Sequence, residues 1–299
     1  MKAKATVLLG LKVIILAFIL FGLYSIDFLG LGLVEETQAA PATLLLVSLL
    51  HAAVLSWPVL RSRWVGWRLV AAIFLVFYGV TTLMVAIEAV YLPEALPLDL
   101  VVRLVVNGAI TAVVFSVLAV LIHGRMERVE EPQETNLRLI MPWTQWVWKL
   151  ALIGFSWVVL FILFGALVFL PLAGRLAPAA LEEYANMEMP AWILPFQALR
   201  AVLWAALTLP VIWTMREPAL PVPSVAEGSL SRGRWWETGL AVALLFSVLM
   251  GGNLLRPTGL PVGLQVTHLV EVFGENLIFG WIVVWLLHRR HGRNVPATA

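Results

Sequence analysis

Four polar residues, His268, Glu271, Glu275 and Asn276, lie inside the apolar run 264–287, which is long enough to cross a membrane. Burying an ionisable group at bilayer depth costs about 3 kcal/mol even on the lenient insertion scale, so such groups persist where they are paired, face water or do work. At about 100° per residue, His268, Glu271 and Glu275 fall within about 60° of one another, on one helix face. An imidazole and two carboxylates so arranged have the chemistry of a proton or solute path. His51, Glu88, Arg103, Asn107 and Arg200, buried in other apolar runs, complete the candidate set. In the plainer reading Arg103 and Arg200 neutralise Glu271 and Glu275 as ion pairs that only hold the helices together.

The elements that position these residues follow from composition. Of 299 residues, 61% are hydrophobic and 13% charged, with mean hydropathy +0.93, whereas a soluble domain is about a quarter charged. The chain reads as an all-α integral membrane protein. Its formal net charge of +2 comes from basic residues at the ends of apolar runs, without a basic patch. That excludes nucleic acid as a partner and leaves membrane lipid and other membrane subunits. There is no cysteine, so disulfides, thiolate metal sites and cysteine nucleophiles are excluded. His268-x-x-Glu271 lacks the second histidine of a zinc-protease helix, and Gly251-Gly252 and Gly30-x-Gly32 have no phosphate-loop context. No catalytic machinery is read from the chain.

Eight stretches have the length needed for roughly 30 Å of hydrocarbon: 8–30, 42–60, 68–92, 99–122, 147–171, 191–214, 238–255 and 264–287. Lys2, Lys4, Arg61, Arg63, Arg68, Arg125, Arg128, Arg138, Arg216, Arg232, Arg234, Arg289, Arg290 and Arg293 fall on one side of them. Glu35, Glu36, Glu94, Asp99, Glu182, Glu183 and Glu188 fall on the other, with Arg175 and Arg256 as basic exceptions. The basic excess puts both termini in the cytoplasm and the protein in the cytoplasmic membrane. Trp57, Trp64, Trp143 and Trp236 cluster on the basic side as an interfacial belt. Lys2 and Lys4 before an apolar core resemble a secretory signal, but the run is too long and reads as a retained helix.

The two halves of the chain echo each other. Arg61-Ser62-Arg63-Trp64 before the third span recurs as Arg232-Gly233-Arg234-Trp235 before the seventh, and Glu35-Glu36 with Pro41-Ala42 recurs as Glu182-Glu183 with Pro190-Ala191. The fourth span ends Ile122-His123-Gly124-Arg125 and the eighth Leu287-His288-Arg289-Arg290. A tandem repeat of two four-helix halves follows, 1–125 and 147–293, with a cytoplasmic linker 126–146 and a short tail 294–299. An even number of helices per half relates the halves by an axis along the membrane normal. His51 and Arg200, each ten residues after the proline that opens its span, become equivalent; Arg103 stands opposite His268, and Thr111 opposite Asn276.

A rise of 1.5 Å per residue puts Arg103, Asn107, His268 and Glu271 roughly 6 to 12 Å from the external ends of their spans, and His51, Arg200 and Glu275 roughly 13 to 17 Å. Glu88 lies near the external end of its own span. Spans two, four, six and eight are expected to turn these polar faces toward one another around an external-side pocket between the halves. Lys12 and Lys149 are expected to snorkel to the cytoplasmic surface, and His123, His288 and His291 to meet lipid headgroups there. No span shows a clear interruption. In a subunit of a larger assembly, Trp157, Trp204 or Trp281 would be expected on helix faces turned away from the four-helix cores.

Two four-helix units with histidines on even-numbered helices resemble the topology of heme A synthase. That family pairs two histidines in each half, with a glutamate three residues before the histidine of its second helix. Here Ser48 stands three residues before His51, and the sixth span has Arg200 in place of a histidine. The resemblance covers topology alone: bis-histidine ligation within a half is not available, and the redox reading is left with haem held across the halves by His51 and His268, or a quinol by His268 with Glu271. Apart from it no cofactor is expected, and metal ligation is left open, through His51 and His268 if haem is bound. The leading expectation is a subunit of a larger membrane assembly or a solute-binding protein using the pocket. Behind it stand a transporter or proton-path protein built on His268, Glu271 and Glu275, and a redox protein.

Overall fold

The computed structural model describes residues 2–26, 28, 40–89, 98–127, 139–185, 190–215, 235–255 and 260–289. Eight helices among them are long and apolar enough to cross a membrane. They are α1 (Lys2–Tyr24), α2 (Pro41–Arg61), α3 (Gly66–Glu88), α4 (Leu98–Ile122), α5 (Trp143–Leu176), α7 (Ile193–Thr214), α8 (Trp235–Leu254) and α9 (Val262–His288). A short helix, α6 (Pro178–Ala185), lies between α5 and α7. Each expected span holds one of the eight, with ends shifted by a few residues. Glu35, Glu36, Glu94, Glu188, Arg128, Arg138, Arg216, Arg232, Arg234, Arg256, Arg290, His291, Arg293, Gly30, Gly32, linker residues 128–138 and the tail 294–299 lie outside the described residues.

The spans run through as continuous helices, two of them with a local widening. α3 widens into a π turn at Gly79–Leu83, and α5 does so at Gly165–Phe169. Both turns open on a glycine, and such turns concentrate at functional sites. In α5 the wide turn comes just before Pro171, which has no backbone N–H to give, and the helix runs on to Leu176.

Helix pairing follows the same scheme in each half. In the first, α1 packs on α2, α3 on α4 and α4 back on α1; in the second, α5 packs on α7, α8 on α9 and α9 back on α5. The halves join through α2 on α8 and α3 on α7, with α3 also touching α8. The expected facing of spans two, four, six and eight is therefore corrected: the junction is built by the second, third, sixth and seventh. Lipid tails are as apolar as the helices, so close backbone approach decides which faces meet. A Cβ on Gly108 of α4 would lie 2.3 Å from Thr82 Oγ1 of α3, and one on Gly280 of α9 would lie 2.5 Å from the Ala243 Cα of α8. These contacts hold α4 and α9 inside their own halves.

Each half contains an aromatic layer drawn from all four of its helices. In the second, Trp157, Trp204, Phe246 and Phe279 pack with ring centroids 4.6 to 5.9 Å apart. Such pairs add about 0.5 to 1.5 kcal/mol each beyond the area they bury. Trp157 and Trp204 are thus core residues and do not stand on the outward faces that an assembly subunit would offer, while Trp281 is 37% exposed. In the first half the layer runs Tyr24, His51, Phe77 and Phe115.

At the end of the bundle that holds Arg61, Arg125 and Arg289, the polar groups turn inward. Lys149 does not snorkel: it is buried and donates to the carbonyls of Leu287 (3.1 Å) and Arg289 (2.9 Å), capping α9. His288 Nδ1 donates to Val284 O at 3.0 Å, and His123 Nε2 lies 3.0 Å from Ser56 Oγ. Both histidines are buried, so the expected headgroup contact is corrected for them. Burial, with the Lys12 charge nearby, lowers His123 to about 4. Arg61 and Glu237, 3.4 Å apart, tie α2 to α8.

Candidate functional site

The bundle positions Arg200 at the junction of the halves. It is 6% exposed. Its Nη2 donates to Oε1 of Glu88, the last residue of α3, and to Met84 O at 3.4 Å. Nη1 reaches Gln197 Oε1 at 3.5 Å, and the guanidinium lies 5.0 Å from the centre of the Trp204 ring. Gln197 in turn accepts from Trp157 Nε1 at 3.1 Å, which satisfies the buried indole.

On α9, His268 Nδ1 donates to Glu271 Oε2 at 3.1 Å. The imidazole rests on Phe169 of the π turn, with centroids 4.6 Å apart. Gly165 opens that turn opposite Glu271: a Cβ there would stand 4.0 Å from Glu271 Oε1. Glu275, one helical turn further on, is 5% exposed, and its Oε2 has no hydrogen-bond partner among the described residues. The charges that act on it are Glu271, Arg200 and Glu88. Asn276 is fully buried and donates to Val272 O at 2.7 Å.

Among the described residues, these three carboxylates therefore meet the guanidinium of Arg200 and the imidazole of His268. Arg200 bonds Glu88 and His268 bonds Glu271, which leaves Glu275 as the carboxylate in excess. Arg200 does act on Glu275 as the sequence suggests, but its ion pair is made with Glu88. Arg103 and Asn107 are half-buried on α4 in the first half, and Arg103 is not among the charges acting on Glu275.

His51 is also apart from the cluster. Tyr24 OH lies 2.8 Å from its Nδ1, and its Nε2 donates to Val248 O at 3.2 Å. With both ring nitrogens engaged, haem ligation through Nε2 would break the bond to Val248. Among the described residues no group of three or more His, Asp or Glu side chains is arranged to hold a metal ion.

Compared with protein-family models, curated proteins and solved structures, the chain matches none. The site is read from its own chemistry. Charge alone does not reveal Gln197, Gly165 or Phe169. Gln197 has a signal, since it stands three residues before Arg200 on the same helix face; for the π turn, the glycine at its start is the only trace.

Proposed function

We propose that this is a cation-handling protein of the cytoplasmic membrane, both termini cytoplasmic, built as a tandem repeat of two four-helix halves that meet beside an acidic cluster open to the external side. The observation that carries the reading is Glu275, deeply buried, with no hydrogen-bond partner for Oε2 among the described residues and two other carboxylates within electrostatic reach. A purely structural cluster would balance its charges, because an uncompensated buried charge costs several kcal/mol. Excess negative charge at this depth calls for a cation that comes and goes.

The shared pairing scheme of the two halves supports the repeat. Orientation is supported by Arg61, Arg63, Arg68, Arg125 and Arg289 at one end of the bundle, with Glu88, Arg200 and His268 toward the other.

Lipid vesicles loaded with a pH-sensitive dye test the reading. A membrane potential or an inward gradient of Na⁺ or K⁺ is expected to change the internal pH of vesicles containing the protein, and Glu275→Gln to abolish the change. A response no larger than that of empty vesicles would contradict it.

A further inference from the structure

We propose that the cation is a proton held on Glu275, delivered from the external end of α9 by His268 and Glu271. The inference rests on the cation-handling reading of the cluster and names its ligand.

Burial and partnering carry the first step. Glu275 is 5% exposed, and Oε2 has no hydrogen-bond partner among the described residues. A carboxylate so placed forfeits its hydration without regaining it, whereas a carboxylic acid carries no charge to desolvate. The groups that face it point the same way. Glu271 on α9 and Glu88 on α3 are like charges, and Arg200 on α7, the opposite charge that acts on Glu275 among the described residues, already bonds Glu88. α5 meets this stretch of α9 with Phe164, Gly165 and Phe169, which bring no charge.

Order along α9 carries the second step. His268, Glu271 and Glu275 run inward from the N-terminal part of the helix on one face. Side-chain exposure falls from 21% at His268 to 11% at Glu271. Their 3.1 Å contact is a formed hydrogen bond, a ready path for a proton. The imidazole takes a proton at Nε2 from a hydronium ion at the external end, which leaves as water. Its Nδ1–H bond then breaks as an O–H bond forms on Glu271 Oε2. Glu271 passes that proton one helical turn inward to a carboxylate oxygen of Glu275, and His268 is left neutral with its proton on Nε2, so the ring turns over before the next transfer. Gly165 leaves the space beside Glu271 without a side chain, which gives the carboxyl room to turn.

Infrared spectroscopy of the full chain in lipid nanodiscs at neutral pH, with exchange from H₂O to D₂O, tests the assignment. The carbonyl stretch of a protonated carboxyl is expected in the wild type and is expected to vanish in Glu275→Gln. Its shift on deuteration should be about a hundredfold slower in His268→Ala than in the wild type, the scale of lost proton-transfer catalysis. Should Glu275→Gln fail to fold, the exchange rates of His268→Ala and Glu271→Gln decide, and unchanged rates overturn the relay. A wild-type spectrum without the band, or a band that survives in Glu275→Gln, overturns the proton assignment. If vesicle responses to Na⁺ or K⁺ still depend on Glu275 in that case, the cation-handling reading stands with a metal cation as ligand.

Discussion

His51 and Arg200 make the same crossing in opposite directions. His51, on α2, donates from Nε2 to Val248 O of α8 at 3.2 Å; Arg200, on α7, donates to Met84 O of α3 at 3.4 Å. Each is ten residues past a proline, and each reaches a backbone carbonyl of the opposite half. The two crossings differ in charge. The imidazole crossing is complete with Tyr24, whereas the guanidinium draws a carboxylate, Glu88, to the junction.

The His51 crossing depends on Gly252. A Cβ there would lie 2.0 Å from His51 Nε2. Gly252→Ala is expected to destabilise the protein by about 1 to 3 kcal/mol, the usual range for overpacking, and to do so much less in a His51→Ala background. Unfolding in detergent of the two single variants and the double variant measures that coupling, and purely additive effects would count against the contact.

The Arg200 crossing is expected to be the larger. Arg200→Met leaves Glu88 without its guanidinium among three carboxylates and should cost about 3 to 5 kcal/mol, as breaking a buried pair from one side does. Adding Glu88→Gln to Arg200→Met should recover part of that loss. Equilibrium unfolding of both variants checks the order; a double variant less stable than Arg200→Met alone would refute it.

The other end of the bundle supplies a pH dependence. His123 is lowered to about 4 by burial and by Lys12, against about 6.5 in the unfolded chain. Between these values the unfolded chain binds the proton and the folded chain does not, so this contribution is complete above about pH 6.5 and is lost as pH falls toward 4. Melting temperatures across that window should fall less steeply in His123→Gln than in the wild type, and parallel curves would show that His123 plays no part.

Much of the fold was legible because each span is a long apolar run whose length is fixed by the bilayer. The helix partners were not, because backbone approach at Gly108 and Gly280 decides them, and a glycine's neighbour is invisible in one dimension. The face shared by His268, Glu271 and Glu275 could be read from helical periodicity. Their counter-charges could not: Glu88 ranked as a residue near a helix end, yet it takes the arginine that Glu275 was expected to have. Lys149, His123 and His288 were misplaced for a related reason. A basic residue near a span terminus can reach headgroups or cap a neighbouring helix, and that choice depends on tertiary packing.

The melting temperature of Glu275→Gln against the wild type, in nanodiscs from about pH 6 to pH 9, tests the central claim most directly. If the folded protein holds at Glu275 a proton that the unfolded chain releases, wild-type stability falls as pH rises and the neutral amide escapes that loss. Glu275→Gln should therefore melt at or above the wild type, by a margin that widens with pH. A variant that melts below the wild type by a constant margin would mean that Glu275 serves as a charged structural partner, and would contradict the account.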